Sequence, residues 1–456
     1  MTPLGSNHTA MARRAVELAR KAGAVEAEAY VEGLRALSVR VNAGAVETVK
    51  HSTTHGLGLR VIVDQKVGFV STNDLREETL ADLARRAVTL ARHTTADPAN
   101  GLLAEAAPAP PEEPLLGFDP AVAELPAERH IAMALETERV ALGYDPRIRR
   151  VDGCAISSRQ GAATLVNSHG VERSARGTSI SAYVTPLAAD QGGKQRSGGY
   201  GMTKRWLADL EAVESIAREA GRRAVAMVGA RPVDAARVPV VMHPDISGEW
   251  IDEIFDAFSG KEVIKQSSWL TGKLGETIAA PLVTLVDDGL LPKGLASAPC
   301  DDEGVPSRRN VLIERGVCRM FLYDLYNARR AGVAPTGNAE RSYSSLPGIG
   351  SRNLFIEAGA STPREILESV ERGFYITDQG AFGYNEVTGD YSYQAAGFWI
   401  EKGEIAFPVD GVTVASNSLE MLKNIVMVGN DLRFDSSVAA PTLKIAEMTL
   451  SGKAEG

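Results

Sequence analysis

The apolar positions change period several times along the first ninety-odd residues. Over residues 9–22, Met11, Ala15, Val16, Leu18 and Ala19 recur at helical spacing, and Gly23 supplies a stop. Leu37, Val39 and Val41 then alternate with Ser38, Arg40 and Asn42, the period of a half-buried strand. Residues 58–63 and 66–70 flank Asp64-Gln65 and predict a hairpin. Over 76–93 the helical period returns, with Leu80, Leu83, Ala84, Ala87, Val88 and Ala91 on one side. These elements make an N-terminal α+β unit over residues 1–96.

Seven prolines between Pro98 and Pro126, set among alanines and acids, mark 97–126 as a linker or an extended strap. A second α+β unit covers 127–232. It has a helix near 127–142, a turn at Asn167-Ser168-His169-Gly170, a glycine-rich tip at 191–199 expected to be mobile, and a closing helix over 207–228. The third unit, 233–456, is mostly strands. An apolar strand at 238–242 leads into an amphipathic helix at 245–258, with Trp250, Ile251, Ile254, Phe255 and Phe258 inward and Gly260 as its stop. Strands are predicted at 281–286, 311–313 and 317–322, and a pair at 391–400 and 405–409. Thr362-Pro363-Arg364-Glu365 carries an N-cap, a first-turn proline and a capping-box glutamate. The fold class is therefore α+β: an N-terminal α/β unit plus a strand-rich, barrel-like antiparallel C-terminal domain.

A chain of 456 residues, 44% hydrophobic and 23% charged, has the composition of a soluble globular protein of two or three domains. Its formal net charge of −9 argues against nucleic-acid binding. Three cysteines without a CxxC pair suit a reducing cytoplasm. Residues 1–10 hold no apolar signal core, and no apolar run is long enough to span a bilayer. A cytoplasmic location is expected.

Candidate chemistry concentrates in the third unit. In Val241-Met242-His243-Pro244-Asp245-Ile246-Ser247-Gly248, a strand runs into a helix where a zinc peptidase could place its two histidines and glutamate. Proline stands in the glutamate slot, Ser247 and Gly248 in the slots for a second histidine, and His243 is the last histidine of the chain. The segment offers one ligand at most and no base for a metal-bound water. Four glycine-bearing polar segments follow. Asp301-Asp302-Glu303-Gly304-Val305-Pro306 reads as a solvated turn or, through its carboxylates, a site for a cation. Thr336-Gly337-Asn338-Ala339-Glu340-Arg341 reads as a loop or a grip on a peptide backbone or carboxylate. The segment at 383–392, containing Asn385, is a hairpin signal first, and 428–432 a tight turn. Cys300 beside two carboxylates is a poor nucleophile.

Taken in order, Ser267-Ser268-Trp269-Leu270-Thr271-Gly272-Lys273-Leu274-Gly275, the 301–306 and 336–341 segments, Gly389-Asp390-Tyr391-Ser392 and Gly429-Asn430-Asp431-Leu432 resemble the TldD/PmbA family, once labelled modulator of DNA gyrase. The likeness is to its PmbA (TldE) branch. It implies a cytosolic zinc peptidase of two related chains acting on unfolded peptides. The TldD-type chain carries the zinc on His-Glu-x-x-x-His and a late cysteine. No metal ligand and no catalytic residue transfers to this chain, and the zinc is expected in its TldD-type partner. Asp302, Asn338, Arg341 and Asn385 are the candidates for the cavity wall or the subunit contact. Two other readings compete. One is a self-sufficient homodimeric metal-dependent hydrolase built around His243. The other is a binding protein that modulates DNA gyrase, against which the interleaved lysines and arginines argue. A homodimer of the isolated chain and the absence of a membrane partner are compatible with each reading.

Overall fold

The computed structural model describes residues 4–105, 107–380 and 383–452; the chain ends included in the outer two units lie beyond these. Helix α1 (His8–Lys21) leads into three antiparallel strands, β1 (Glu26–Asn42), β2 (Ala45–Val63) and β3 (Lys66–Thr72). The predicted hairpin turns at Asp64 and Gln65, both left-handed with φ of 50° and 63°, as a two-residue turn matching strand twist requires. Helix α2 (Glu77–His93) follows, then an irregular stretch holding the one-turn α3 (Pro120–Ala123), then α4 (Ala127–Leu142). Strands β4 (Ile148–Asn167), β5 (Glu172–Ala189), β6 (Gln195–Ser197) and β7 (Tyr200–Lys204) and helix α5 (Val213–Ala226) complete this half.

All seven strands form one sheet in the order β3-β2-β1-β4-β5-β6, with β7 also on β5. Side chains alternate between its faces. Odd-numbered residues of β1, including Ala27, Ala29, Val31, Val39 and Val41, pack under the helices. Even-numbered Glu28 and Tyr30 face the C-terminal half, where they meet Arg341 and Asp302. Two local expectations change. The 191–199 tip contains β6, and its Arg196 bridges Asp190 and Asp410. The helix expected from 207 starts at Val213, because the Leu207 N–H is taken by Asp119 and the Trp206 indole by the Leu116 carbonyl.

The C-terminal half opens with β8 (Ala236–Met242), α6 (Pro244–Glu253) and α7 (Gly260–Ile264). The predicted helix tightens into a 3₁₀ turn at Ile254–Phe258. Gly260 opens α7 instead of closing the earlier helix; a Cβ there would lie 2.1 Å from the Tyr323 ring. Next come β9 (Leu285–Asp288), β10 (Arg309–Glu314), β11 (Val317–Cys318), α8 (Leu325–Ala331), β12 (Ala339–Glu340), β13 (Gly348–Ile349) and β14 (Leu354–Ile356). The strands expected at 281–286 and 317–322 are thus shorter or shifted. The capping box at Thr362 is formed and starts α9 (Pro363–Glu368). The chain ends with β15 (Arg372–Gln379), β16 (Asp390–Glu401), β17 (Glu404–Asn417), α10 (Ser418–Lys423), β18 (Ile425–Val428), β19 (Val438–Ala439) and β20 (Leu443–Gly452).

Strands β17-β16-β15-β8-β20 run side by side, and β20 pairs back onto β17, closing a five-stranded barrel with β18 outside it. Only the β15–β8 pairing within the barrel is parallel. A smaller sheet, β11-β10-β9-β14-β19, lies beyond it. One core joins them around Trp250, Phe258, Phe374 and Tyr391. The fold is mixed α+β, as expected from the pattern. No helix among the described residues is long and apolar enough to cross a membrane.

Candidate functional site

At the end of β8 the chain leaves extended geometry, and α6 begins at Pro244. His243 is its N-cap: Nδ1 accepts the Asp245 backbone N–H at 3.2 Å. Proline suits the first helical position, where its missing N–H would have had no helical partner anyway. Ser247 is buried, with its hydroxyl directed to the Met242 carbonyl at 3.4 Å. Gly248 packs against the backbone of residues 438–440. The residues present do not fit a zinc ion. One imidazole is spent on capping, the next position is proline, and the second-histidine slots hold a hydroxyl and a glycine. Among the described residues, no three His, Cys, Asp or Glu side chains converge to hold a metal.

Asp245, two residues on, ties this helix to its surroundings. Its carboxylate meets Arg223 of α5 at 2.7 Å and Arg433 at 2.9 Å, with His243 Nδ1 at 3.3 Å. Burial opposes its charge, but His243 and Arg223 hold the carboxyl well below the usual carboxylate range. Beside it lies a cavity of about 620 Å³ between α5, β7, α6 and β15, with Tyr200, Arg223, His243, Glu249, Tyr375 and Phe398 in its wall. Burial pushes both the Glu249 carboxyl and the Tyr375 phenol up. The cavity is aromatic and mixed in charge, with no metal cradle. The cysteines offer no nucleophile: burial pushes Cys154 and Cys300 up to about 12 and Cys318 up to about 11.

The 301–306 and 336–341 segments come together elsewhere, where the C-terminal half meets the large sheet. The first is a turn, as its glycine and proline imply, but it is not solvated: Asp301 and Glu303 are buried. Asp301 accepts the backbone N–H groups of Glu303, Val305 and Ala339; burial and the neighbouring Glu303 charge push its carboxyl up to about 7. Asp302 accepts the Tyr30 hydroxyl at 3.1 Å and the Arg341 N–H at 3.0 Å. Asn338 is fully buried, giving its amide to Asp287 at 2.7 Å and to the Gly350 carbonyl at 3.0 Å, and accepting from Asn310. Arg341 meets Glu28 at 2.8 Å and stacks on the Tyr30 ring. Asp302, Asn338 and Arg341 therefore belong to one laced assembly. Asn385 does not: it is exposed in another loop, where its side chain accepts the N–H groups of Val387 and Thr388.

The central ion network escaped the sequence reading. Arg60 Nη1 reaches Glu303 at 2.9 Å and Arg60 Nη2 reaches Glu28 at 2.9 Å, with all three side chains buried. Glu28 and Arg60 are direct cross-strand neighbours in β1 and β2. That register was the available signal, because it sets opposite charges side by side.

This arrangement, a seven-stranded sheet under helices joined to a C-terminal half built on a five-stranded barrel, with a histidine-capped helix following β8, matches known proteins. Models of the PmbA/TldA metallopeptidase match as domain 1 over residues 27–91, as the central domain over 120–228 and as the C-terminal domain over 235–452. The chain belongs to the PmbA/TldD metallopeptidase family. It is 30% identical over 433 residues to the metalloprotease PmbA of Escherichia coli, covering 94% of this chain and 92% of that one. With a metalloprotease TldD homolog of Haemophilus influenzae it shares 28% over 441 residues, 89% of each chain. Among solved structures, a proposed modulator of DNA gyrase from Thermotoga maritima superposes with a TM-score of 0.89 at 27% identity, over 97% of this chain and 100% of that one. TldE from Thermococcus kodakarensis matches in fold with a TM-score of 0.88 at 24% identity, again over 97% of this chain and 100% of that one.

Proposed function

We propose that this chain is the non-metal subunit of a two-chain TldD/TldE-like zinc metallopeptidase that degrades or processes unfolded peptides in the cytoplasm. The observation that carries the reading is His243. The helix start that could hold a catalytic zinc is closed by a proline, and its imidazole is used as a cap. The zinc would sit in the TldD-type partner, where it would polarise the scissile carbonyl and activate water. The contribution of this chain is enclosure and peptide contact. Asp302, Asn338 and Arg341 hold the wall where the two halves meet, and Asn385 offers a polar contact on an exposed loop. The similarity to both PmbA-type and TldD-type metalloproteases supports a family with two kinds of chain.

The test is to purify the chain alone, a TldD-type chain from the same genome alone, and the pair. Size, zinc content and cleavage of a disordered peptide are then measured for each. The expected result is no bound zinc and no cleavage for this chain alone, and a zinc-bearing, active complex for the pair. Stoichiometric zinc and cleavage by this chain alone would establish the homodimeric hydrolase in its place. A change in gyrase supercoiling on adding the chain, with no effect on peptide cleavage, would establish the gyrase reading.

A further inference from the structure

On the face of the large sheet that carries Tyr30 and Glu32, a second cavity of about 390 Å³ lies between β1, β4 and β5 on one side and residues 295–298 with Arg352 on the other. Its floor is made small by Gly161, Ala163, Ala175 and Gly177. Four arginines line it, Arg159, Arg176, Arg205 and Arg352, against one carboxylate, Glu32. In a chain whose net charge is −9, this is a concentrated positive patch. Among the described residues none of the four forms a direct ion pair, although the Arg352 charge favours the ionised forms of the buried Asp287 and Asp301. Arg205 is held by the carbonyls of Gly294 and Leu295, and Arg352 by that of Ala339 at 2.9 Å. Arg176 lies over the Phe118 ring at 4.4 Å. Burial without a carboxylate partner lowers Arg205 to about 10. Behind the wall residue Tyr30, the buried Arg341 also has Nε and Nη2 without an acceptor.

A second, independent feature is Gly161. Glycine inside a strand weakens it and marks a bulge, a tight bend, or a close approach by a ligand or another backbone. No bulge interrupts β4 here: Gly161 pairs in register with Leu34 on one side and Gly177 on the other. No packing demands it either, since a Cβ would meet its nearest atoms, Gly33 O and Leu34 Cδ1, only at 4.0 Å. The missing side chain leaves room over the floor of the cavity.

We propose that this cavity binds an oxyanion, either a carboxylate carried by an acidic peptide or a phosphate. Guanidinium forks match both groups through paired, charge-assisted hydrogen bonds. The inference rests on the peptide-handling reading only for its choice of a peptide probe. Because the assay uses the full chain without partner and without cleavage, a negative result here leaves the subunit reading standing.

The experiment is fluorescence anisotropy with a labelled all-glutamate peptide and an all-glutamine peptide of equal length, with inorganic phosphate titrated separately by calorimetry. The wild-type chain is expected to bind the glutamate peptide about tenfold or more tightly than the glutamine one. Added salt should weaken that binding. Arg159→Ala with Arg176→Ala removes two exposed arginines that form no ion pair among the described residues, at the loss of the Arg176 contact with the Phe118 ring, and should erase the preference. Gly161→Val fills the floor without changing charge and should weaken binding while leaving the melting temperature unchanged or raised. Binding of phosphate alone that the same variants abolish assigns the site to phosphate, and binding of the glutamate peptide without phosphate binding assigns it to peptide carboxylates. Failure of wild type to bind either probe, or equal binding by the variants, overturns the proposal.

Discussion

Arg60 stands between two buried carboxylates, Glu28 and Glu303, so its removal leaves like charges facing each other away from water. Breaking such a network from one side is costly, because the remaining charge keeps its desolvation penalty and loses its partner. Arg60→Met should destabilise the protein by about 3–5 kcal/mol, read from urea and thermal melts. Adding Glu303→Gln should recover much of that loss, since Glu28 still has Arg341. A single variant as stable as wild type would show the network to be incidental. Asp245 gives a pH signature. Its folded-state carboxyl sits below its unfolded value, so its contribution is present above about pH 4 and fades as pH falls further. Melting temperatures of wild type and Asp245→Asn should therefore differ most near neutrality and converge on acidification below about pH 4. Parallel curves at every pH would contradict the pairing.

Among the elements, α6 is the most telling, because its first turn decides whether a metal can be held. Gly248 lies inside the helix with its would-be Cβ at 3.7 Å or more from the segment 438–440, which is ordinary contact distance. A helix-interior glycine costs roughly 0.5–1 kcal/mol relative to alanine. Gly248→Ala should raise stability by up to about that amount, measured by thermal melting. A marked loss would mean that the helix packs closer than its backbone indicates. The long helices α1 and α2 were legible from their apolar period, and the capping box from Thr362 and Glu365, because local chemistry specifies them. Strands of two or three residues, such as β12, β13 and β19, were not, since pairing with distant segments creates them. The candidate site was legible by half. Glycine and carboxylate spacing pointed to the 301–306 and 336–341 segments. Glu28 and the arginines of the sheet face stayed hidden, because alternation looks the same whether the polar face meets water or another part of the chain.

At the scale of the whole molecule, continuity between segments distant in sequence dominates. Strand β1 pairs with β2 on one side and, along residues 28–40, with β4 on the other. Its even-numbered face is covered by the C-terminal half through Tyr30–Asp302, Arg60–Glu303 and Glu28–Arg341. A fragment ending at residue 96 would therefore lose β4 and expose a long unpaired edge on β1. Exposed edges of that length recruit other strands. The fragment 1–96 should accordingly be aggregation-prone or poorly structured, whereas 1–232, which keeps all seven strands and the four long helices over them, should remain soluble with native-like circular dichroism. Sedimentation and circular dichroism of both fragments check this. A monomeric, cooperatively melting 1–96 would show that the N-terminal segment folds by itself, and that its union with the rest of the sheet serves function more than folding. The opposite outcome would show that β1 depends on β4 and the strands beyond it for its fold; the oxyanion cavity needs both halves in either case, since its floor comes from the sheet and its roof from residues 295–298.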